Sequence, residues 1–420
     1  MLKIHLLSFL VILFLGLLFR YIFAWFTISP LDADSFYRIY TEMKNGQGIY
    51  SPNWFYFNNP PVWGWLIWLC GNVAEKTNLS LSFLLKIPLI ISDLLISLLI
   101  FKYALTKKNF RTGICYFALV FLNPLLITVS SYQGQMESLF LYFLLLSALV
   151  LHKLPITNRT IILAGMLFGL SCTVKVIPLM VLPVFLIYLV KNQSSLSKKI
   201  SSAVIFTTSS LLPMVIVFLP FLSNLSEIFL RIFAYRPPFW GFWGIVSIYS
   251  LIDLFLPMPV FFKNLLSTNQ LIVLFLGIFF YLFIILRQKN NLIKSILIAF
   301  LSIYITSTFF SPHYLVWIVP FLSIMLIDFK KSKTVSFLVY SLLSFLIEIS
   351  WLLSILADEK NTWKRWSIIS MYEEIIVPDF LIQLGNLVTL PYFLLLNLAV
   401  WLICWYLLFL LLKKVNLQVK

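Results

Sequence analysis

The chain has 420 residues, of which 61% are hydrophobic and 11% are charged, and its formal net charge is +16. So few polar side chains cannot cover a water-soluble globule of this size, so the composition excludes a soluble protein and indicates an integral membrane protein. The apolar runs are mostly about 17–25 residues long, which suits helices that cross a bilayer and not the alternating strands of a barrel. We therefore predict an all-α polytopic membrane protein, with residues 1–420 forming one domain.

The apolar runs predict about twelve transmembrane helices. They lie near 6–27, 82–104, 112–128, 137–152, 159–174, 176–190, 200–222, 268–286, 293–310, 314–328, 334–353 and 389–412. Two further stretches, 60–72 and 245–262, are shorter or interrupted by proline and predict re-entrant or interfacial helices. The first run ends without a small-x-small cleavage site, so we expect a retained helix and not a signal peptide.

The distribution of charge predicts the orientation of the chain. The side that holds both termini in this plan carries 19 of the 31 basic residues and one of the 15 acidic residues. By the positive-inside rule both termini are cytoplasmic, and the long loops 28–81, 223–267 and 353–388 lie outside. The basic excess is thus a topology signal and gives no reason to propose nucleic-acid binding. Because the cytoplasmic loops are short and contain no Gly-rich phosphate loop, a soluble nucleotide is not expected as substrate.

The first outer loop opens with two carboxylates, Asp32 and Asp34, directly after the first membrane-length run. The residues that follow place Phe36, Ile39 and Tyr40 on one face, which predicts an amphipathic helix in the interface that ends near Gly46. Asp34 has two interpretations at this stage, a helix N-cap or an active-site carboxylate. The pair is also a candidate ligand set for a divalent metal, Mg²⁺ or Mn²⁺, since carboxylate oxygens are hard ligands.

Several polar residues lie at other outer positions. The turn NPLLITVSSYQGQMESL (123–139) carries Gln135 and Glu137, and Lys175 sits in CTVKVIPLMVLP, where a lone ammonium snorkels or meets an anion. Several of these groups are candidates for holding a phosphate: Lys175, Arg231, Arg236, His313 and Tyr314. The alternative is that they snorkel or pair with the outer acids.

Two further features have a structural interpretation as well as a functional one. Asp93 and Glu348 lie inside predicted spans, where a buried acid points either to function or to interhelical pairing. In FNNPPVWGWLIW (57–68) we interpret Trp63, Trp65 and Trp68 as an aromatic belt at the level of the lipid headgroups.

The order of these motifs resembles the GT-C superfamily of membrane glycosyltransferases, which use polyprenyl-phosphate sugars. The motifs are LDADSFY after the first helix, an interfacial helix ending in GQGIY, FYFNNPPVWGW, NPLLITVSSYQGQMES, KVIP and SPHYLVWIVPF. They are most similar to bacterial polyprenyl-phosphate-mannose-type transferases and to the catalytic subunit of the first GPI mannosyltransferase. The chain departs from the common pattern at Glu137, where related proteins often have Asp, and residues 353–388 match no known pattern.

The resemblance implies a GT-C-like helical bundle and a donor bound from the outer leaflet. It implies an inverting transfer, most simply of mannose, to a hydroxyl of a lipid or cell-envelope glycan, with Asp34 as base and Asp32 orienting the acceptor or holding a metal. The expected donor-phosphate residues are Lys175, Arg236, His313 and Tyr314, and the expected substrate-binding residues are Gln135, Glu137, Tyr37 and Arg231. The chain is expected to act in the cell membrane as a monomer, with a divalent metal as the one candidate cofactor.

The competing hypothesis is a lipid or solute transporter or flippase. Such a protein is typically built from sequence repeats or paired broken helices near the bilayer midplane, and its charges follow a pathway. Here no internal repeat is visible and the acids gather on one face, which favours the enzyme.

Overall fold

A computed structural model describes residues 2–27, 33–50, 57–233, 270–307, 311–327, 337–347 and 391–416, together with single positions between 243 and 261. These residues form two compact units, one within residues 1–236 and the other within 237–420. Every regular element in the described part of the chain is helical, so the all-α class is confirmed. That residues 1–420 act as one domain stays a prediction.

The first unit is a bundle of helices. Its α-helices are α1 (Leu2–Phe26), α2 (Ala33–Lys44), α3 (Pro61–Thr77), α4 (Leu81–Lys107), α5 (Phe110–Phe121), α6 (Pro124–Ile127), α7 (Glu137–Lys153), α8 (Asn158–Val174), α9 (Leu182–Lys191), α10 (Leu196–Phe218) and α11 (Leu225–Ile228). Two π-helical segments, Thr128–Gln133 and Phe229–Phe233, and two 3₁₀ turns, Ile177–Val181 and Leu219–Asn224, complete it.

Local sequence signals explain where these helices begin. Ser80 and Asn109 accept a hydrogen bond from the backbone N–H three residues on, which satisfies free donors at the starts of α4 and α5. After α5 the chain reaches Asn123 and Pro124, and the helix axis bends by 45° between Phe110–Phe121 and Pro124–Gln133. Proline disfavours a helical conformation in the residue before it, so the bend is encoded locally.

Close helix contacts in the first unit depend on small residues. Gly165 and Gly169, one turn apart on α8, face α10, where a side chain at Gly169 would overlap the carbonyl oxygen of Ser210. Small residues at this spacing let two helix backbones approach within a bilayer.

The second unit contains α12 (Gln270–Arg287), α13 (Leu292–Thr306), a 3₁₀ turn (Pro312–Ile318), α14 (Val319–Ile327), α15 (Phe337–Ile347) and α16 (Pro391–Asn416). Its centre is aromatic: Tyr314 stacks on Trp317 with ring centroids 4.5 Å apart, and Tyr340 donates to the carbonyl of Leu315 at 2.7 Å. The Trp401 indole of α16 donates to the carbonyl of Ile305 at 3.0 Å. These contacts fix the SPHYLVW segment against its neighbours.

Four helices in the described part of the chain are long and apolar enough to cross a membrane, and five if the bent pair counts as one span. They are Ile4–Phe26, Leu81–Lys107, Leu196–Ile232 and Leu394–Leu412, with the bent pair Phe110–Phe121 and Pro124–Gln133. Shorter apolar helices match several further predicted spans, for example Asn158–Val174 and Leu292–Thr306. The chain is thus a multi-pass membrane protein, while the number of about twelve spans stays a prediction. The predicted stretch 245–262 lies largely outside the described residues.

Candidate active site

A buried charge network lies between α1, α4 and the turn after α5. The guanidinium of Arg20 meets the carboxylate of Asp93 at 3.0 Å, and neither side chain is exposed. Ser130 donates to the same carboxylate at 2.6 Å, and Ser138 donates to its other oxygen. The pairing alternative for Asp93 is therefore the one that the structure shows. Glu348, the second acid predicted inside a span, lies outside the described residues.

Lys86 lies two helical turns before Asp93 on α4 and is also completely buried. Its ammonium donates to the carbonyl oxygen of Thr27 at 2.7 Å and to the hydroxyl of the same residue at 3.0 Å. Thr27 directly follows α1, so Lys86 satisfies a carbonyl at the C-terminal end of that helix.

The predicted turn at 123–139 is an ordered structure with an unusual backbone. Thr128–Gln133 forms a π-helix. Such helices are rare in proteins, and those that occur are often found at functional sites. It ends at Gly134, whose φ of +73° belongs to the left-handed region that glycine adopts without strain. The backbone N–H of Gln135 then returns to the carbonyl of Val129 at 3.0 Å, which holds Gln135 beside the start of α7.

Glu137 and Lys175 form a direct ion pair. Glu137 is the first residue of α7 and is fully buried, whereas Lys175 directly follows α8 and keeps 13% of its side chain exposed. The sequence suggests these two residues as separate candidates, for substrate and for phosphate. The structure brings them together at one end of the bundle, beside Ser138 and its bond to Asp93.

The first loop packs helix on helix. Phe36, Ile39 and Tyr40 of α2 are buried against α3, and the rings of Phe36 and Trp63 meet edge to face at 5.4 Å. The predicted amphipathic face and its end near Gly46 are thus confirmed. The aromatic-belt interpretation is wrong for Trp63, which is fully buried because it packs between α2 and α3, whereas Trp65 and Trp68 are exposed.

Charges and hydroxyls in this loop are also engaged. Lys44 of α2 donates to Glu75 of α3, and this hydrogen bond lowers the pKa of the Glu75 carboxyl. Burial raises the pKa of the Tyr50 phenol, which donates to the carbonyl of Asn59 at 2.8 Å. Tyr50 also packs edge to face on Phe221. The loop is therefore tied to the segment after α10 by this aromatic contact and by the amide of Asn224, which donates to the carbonyl of Tyr50 at 3.4 Å.

The remaining predicted site residues differ in their placement. Arg231 pairs with Glu227 one turn earlier at 3.1 Å, and Tyr37 is exposed on α2. His313 and Tyr314 lie in the 3₁₀ turn of the second unit, where Ser311 meets the His313 ring nitrogen at 2.7 Å. Asp34 is the second residue of α2, one position inside the helix. Asp32, Arg236 and the 353–388 loop lie outside the described residues.

The metal prediction remains untested. In the ranges that the structure covers, no three His, Cys, Asp or Glu side chains group together as metal ligands. The predicted pair falls at the edge of those ranges, because Asp32 is outside them.

Sequence reasoning missed four members of the polar cluster: Arg20, Lys86, Ser130 and Ser138. Arg20 and Lys86 carry a signal, since each is a lone cation inside an apolar run, where a charge is costly unless it is paired or functional. The two serines carry none, because isolated serines are common in membrane helices and only the fold places them on Asp93.

Two comparisons relate the chain to known proteins. Residues 58–223 match a family model described as dolichyl-phosphate-mannose-protein mannosyltransferase. The fold is similar to that of ArnT from Cupriavidus metallidurans bound to undecaprenyl phosphate, with a TM-score of 0.51 and 15% identity over 96% of this chain and 76% of that chain. The apo state of ArnT gives a TM-score of 0.47 and 14% identity over 97% and 77%. No curated protein sequence matches the chain.

These similarities agree with the resemblance inferred from the motifs: residues 58–223 are similar to the mannosyltransferase family, and the chain shares the fold of ArnT. The matched segment contains the NPP, NP…GQxE and KxxP motifs and, with them, Lys86, Asp93 and the Glu137–Lys175 pair. It does not include LDADSFY or SPHY.

Proposed function

We propose that the chain is an inverting glycosyltransferase that moves mannose from a polyprenyl phosphate to a hydroxyl of a lipid or cell-envelope glycan at the outer membrane face. The observation that carries this proposal is the coincidence of the matched segment with the buried charged cluster. A segment that only built a bundle would have no need for a completely buried Lys, Asp and Glu, since burial of each charge is costly. ArnT, whose fold this chain shares, has a crystal structure in which undecaprenyl phosphate is bound.

The chemistry proposed is a single displacement at the anomeric carbon. The acceptor oxygen forms a bond to that carbon while the bond to the phosphate oxygen breaks, and the phosphate leaves with the electron pair. Asp34 takes the proton of the acceptor hydroxyl. A carboxylate within reach raises the rate of such a step by about 10²–10⁴-fold. Asp32 orients the acceptor or holds a divalent metal.

The leaving phosphate gains negative charge in the transition state and needs a fixed cation. Lys175 is proposed for this role, with Glu137 holding its ammonium at the end of the bundle. An ion pair with a fully buried carboxylate restricts a flexible side chain, and a cation already in place needs no reorganisation when the bond breaks. Gln135 is proposed to contact the substrate from the adjacent turn. His313, Tyr314 and Arg236 as phosphate residues, and Tyr37 and Arg231 as substrate residues, remain predictions.

The deciding experiment measures release of polyprenyl phosphate from labelled polyprenyl-phosphate-mannose by the purified protein in lipid, with a panel of acceptors. Wild-type protein is expected to release it, and Asp34→Asn to lose most of this activity. Glu75→Gln is the matched control, since it removes a carboxylate from an exposed ion pair of the same loop. Release from another lipid-linked sugar, and none from mannose, would correct the donor. No release from any lipid-linked sugar would favour the transporter hypothesis.

A further inference from the structure

Helices α1 and α4 run antiparallel and are joined by two polar contacts seven residues apart on each helix. Arg20 meets Asp93 at the deeper level, and Thr27 meets Lys86 nearer the end of the bundle. Seven residues are about two helical turns, so both contacts lie on the same face of each helix. Together the two contacts fix the position of α1 along the axis of α4.

The two levels differ in charge. Asp93 balances Arg20, and two serine hydroxyls complete its shell. Lys86 has the same complete burial, yet both of its hydrogen bonds go to Thr27, and no carboxylate of the described ranges forms an ion pair with it. A buried ammonium without a counter-charge is expensive. Stability alone therefore gives no reason for a lysine at this position.

Lys86 also contacts the turn that follows the π-helix and leads to Glu137. A Cβ atom at Gly134 would lie 3.4 Å from Cγ of Lys86, so the left-handed turn after the π-helix packs directly on its stem. The hydroxyl of Thr27 lies 3.4 Å from the carbonyl oxygen of Tyr132 in the same turn. The end of α1, Lys86 and the turn that leads to Glu137 thus meet at one point. Helix α2, with Asp34 as its second residue, begins six residues after Thr27.

We propose that Lys86 is a positioning residue of the candidate active site, which fixes the end of α1, and through it the start of α2, against the turn at Gly134. The proposal rests on the proposed function. The ammonium holds the carbonyl of Thr27, directly after α1, through short charge-assisted hydrogen bonds. The side chain is fully buried, and its ammonium donates to two oxygens of Thr27. A positioning role therefore explains this lysine better than direct contact with the donor phosphate.

The first test compares transfer and binding in Lys86→Met, which keeps the length of the side chain and removes its charge and donors. We expect kcat to fall by about 10–100-fold, because small displacements of reacting groups are that costly. The dissociation constant of undecaprenyl phosphate, measured directly, is expected to stay within about twofold of wild type on the same argument. Lys102→Met, on the exposed surface of the same helix, is the matched control and should change neither quantity.

The second test asks whether Lys86 acts through Thr27. Thr27→Val removes the hydroxyl and keeps the shape, so we expect a smaller loss of kcat. The double variant should lose no more than Lys86→Met alone, because the two changes remove one interaction. Independent, multiplying losses would overturn the proposal, as would a loss of undecaprenyl phosphate affinity as large as the loss of kcat/KM, which would place Lys86 on the phosphate.

A third readout does not depend on enzymatic activity. Amide hydrogen exchange at the start of α2 should be faster in Lys86→Met than in wild type, while exchange in α8 should be unchanged. Unchanged exchange in α2 would overturn the positioning role even in an active enzyme. If wild-type protein transfers no sugar but α2 exchanges faster in the variant, the proposed function fails and the structural coupling stands.

Discussion

Individual charged residues in this protein are buried in places where hydrocarbon would penalise them. Arg20 and Asp93 have no exposed surface, and Glu137 is equally buried beside Lys175. Such pairs are weak contributors to net stability, because desolvation cancels most of their attraction, yet removal of one partner leaves an uncompensated charge. The effect of a single substitution therefore differs from the effect of removing the pair.

Asp93→Asn is expected to destabilise the protein by about 3–5 kcal/mol, since it leaves the guanidinium of Arg20 buried without a counter-charge. The double variant Arg20→Met with Asp93→Leu should regain much of that loss. Thermal unfolding in detergent measures both. A melting temperature of Asp93→Asn equal to wild type would show that the pair carries no such penalty.

Glu137 and Lys175 allow stability to be separated from catalysis by exchanging the two charges. Lys175→Glu alone should unfold more readily, because it places two carboxylates together, and Glu137→Lys with Lys175→Glu should restore the melting temperature. Transfer activity should stay low in the exchanged pair, since a carboxylate then occupies the more exposed position proposed for the phosphate. Recovery of both properties would show that the pair is only structural.

Helices pack here through surfaces on which size matters more than polarity. In a bilayer the apolar side chains gain nothing from leaving lipid for a neighbouring helix, so close backbone approach through glycine becomes a main source of affinity. Gly165 and Gly169 provide that approach between α8 and α10. The position of Lys175, directly after α8, depends on this contact.

Gly169→Ala is expected to cost about 1–3 kcal/mol, because the added methyl group meets the backbone carbonyl of Ser210, which cannot rotate away as a side chain would. Gly48→Ala is the matched control, since a Cβ there has no atom within 4 Å. Thermal unfolding of both variants checks the prediction. Equal melting temperatures would mean that α8 and α10 separate without penalty.

The whole molecule is a multi-pass membrane protein whose orientation is encoded by its loops. In the predicted topology the basic residues concentrate on the side that holds both termini, and positively charged loops are retained in the cytoplasm during insertion. The Glu137–Lys175 pair lies at the end of the bundle opposite the loop at Lys108. In the predicted orientation this end of the bundle faces outside, which is the side from which the proposed donor would bind.

Single cysteines at Lys76 and Lys108, in a variant without the native cysteines, test this orientation. Both positions are exposed and lie near opposite ends of α4. A membrane-impermeant maleimide added to intact cells should label the cysteine at 76 and not the one at 108 until the cells are opened. The reverse pattern would place the candidate site on the cytoplasmic face.

The sequence by itself determined the elements and their class. Membrane-length apolar runs and the amphipathic spacing of Phe36, Ile39 and Tyr40 depend only on residues close together in the chain, so they can be recognised without a fold. The order of short motifs was enough to indicate a GT-C glycosyltransferase, and it singled out Glu137 and Lys175 as polar residues at helix ends.

Only the tertiary structure decided which of these residues meet. Glu137 and Lys175 are 38 residues apart and Arg20 and Asp93 are 73 apart, and local spacing cannot predict a contact that depends on how whole helices cross. The burial of Trp63 likewise follows from the docking of α2 on α3, although its sequence context is that of an exposed belt. Lys86 is a lone cation in an apolar run until the fold places the end of α1 and the turn at Gly134 around it.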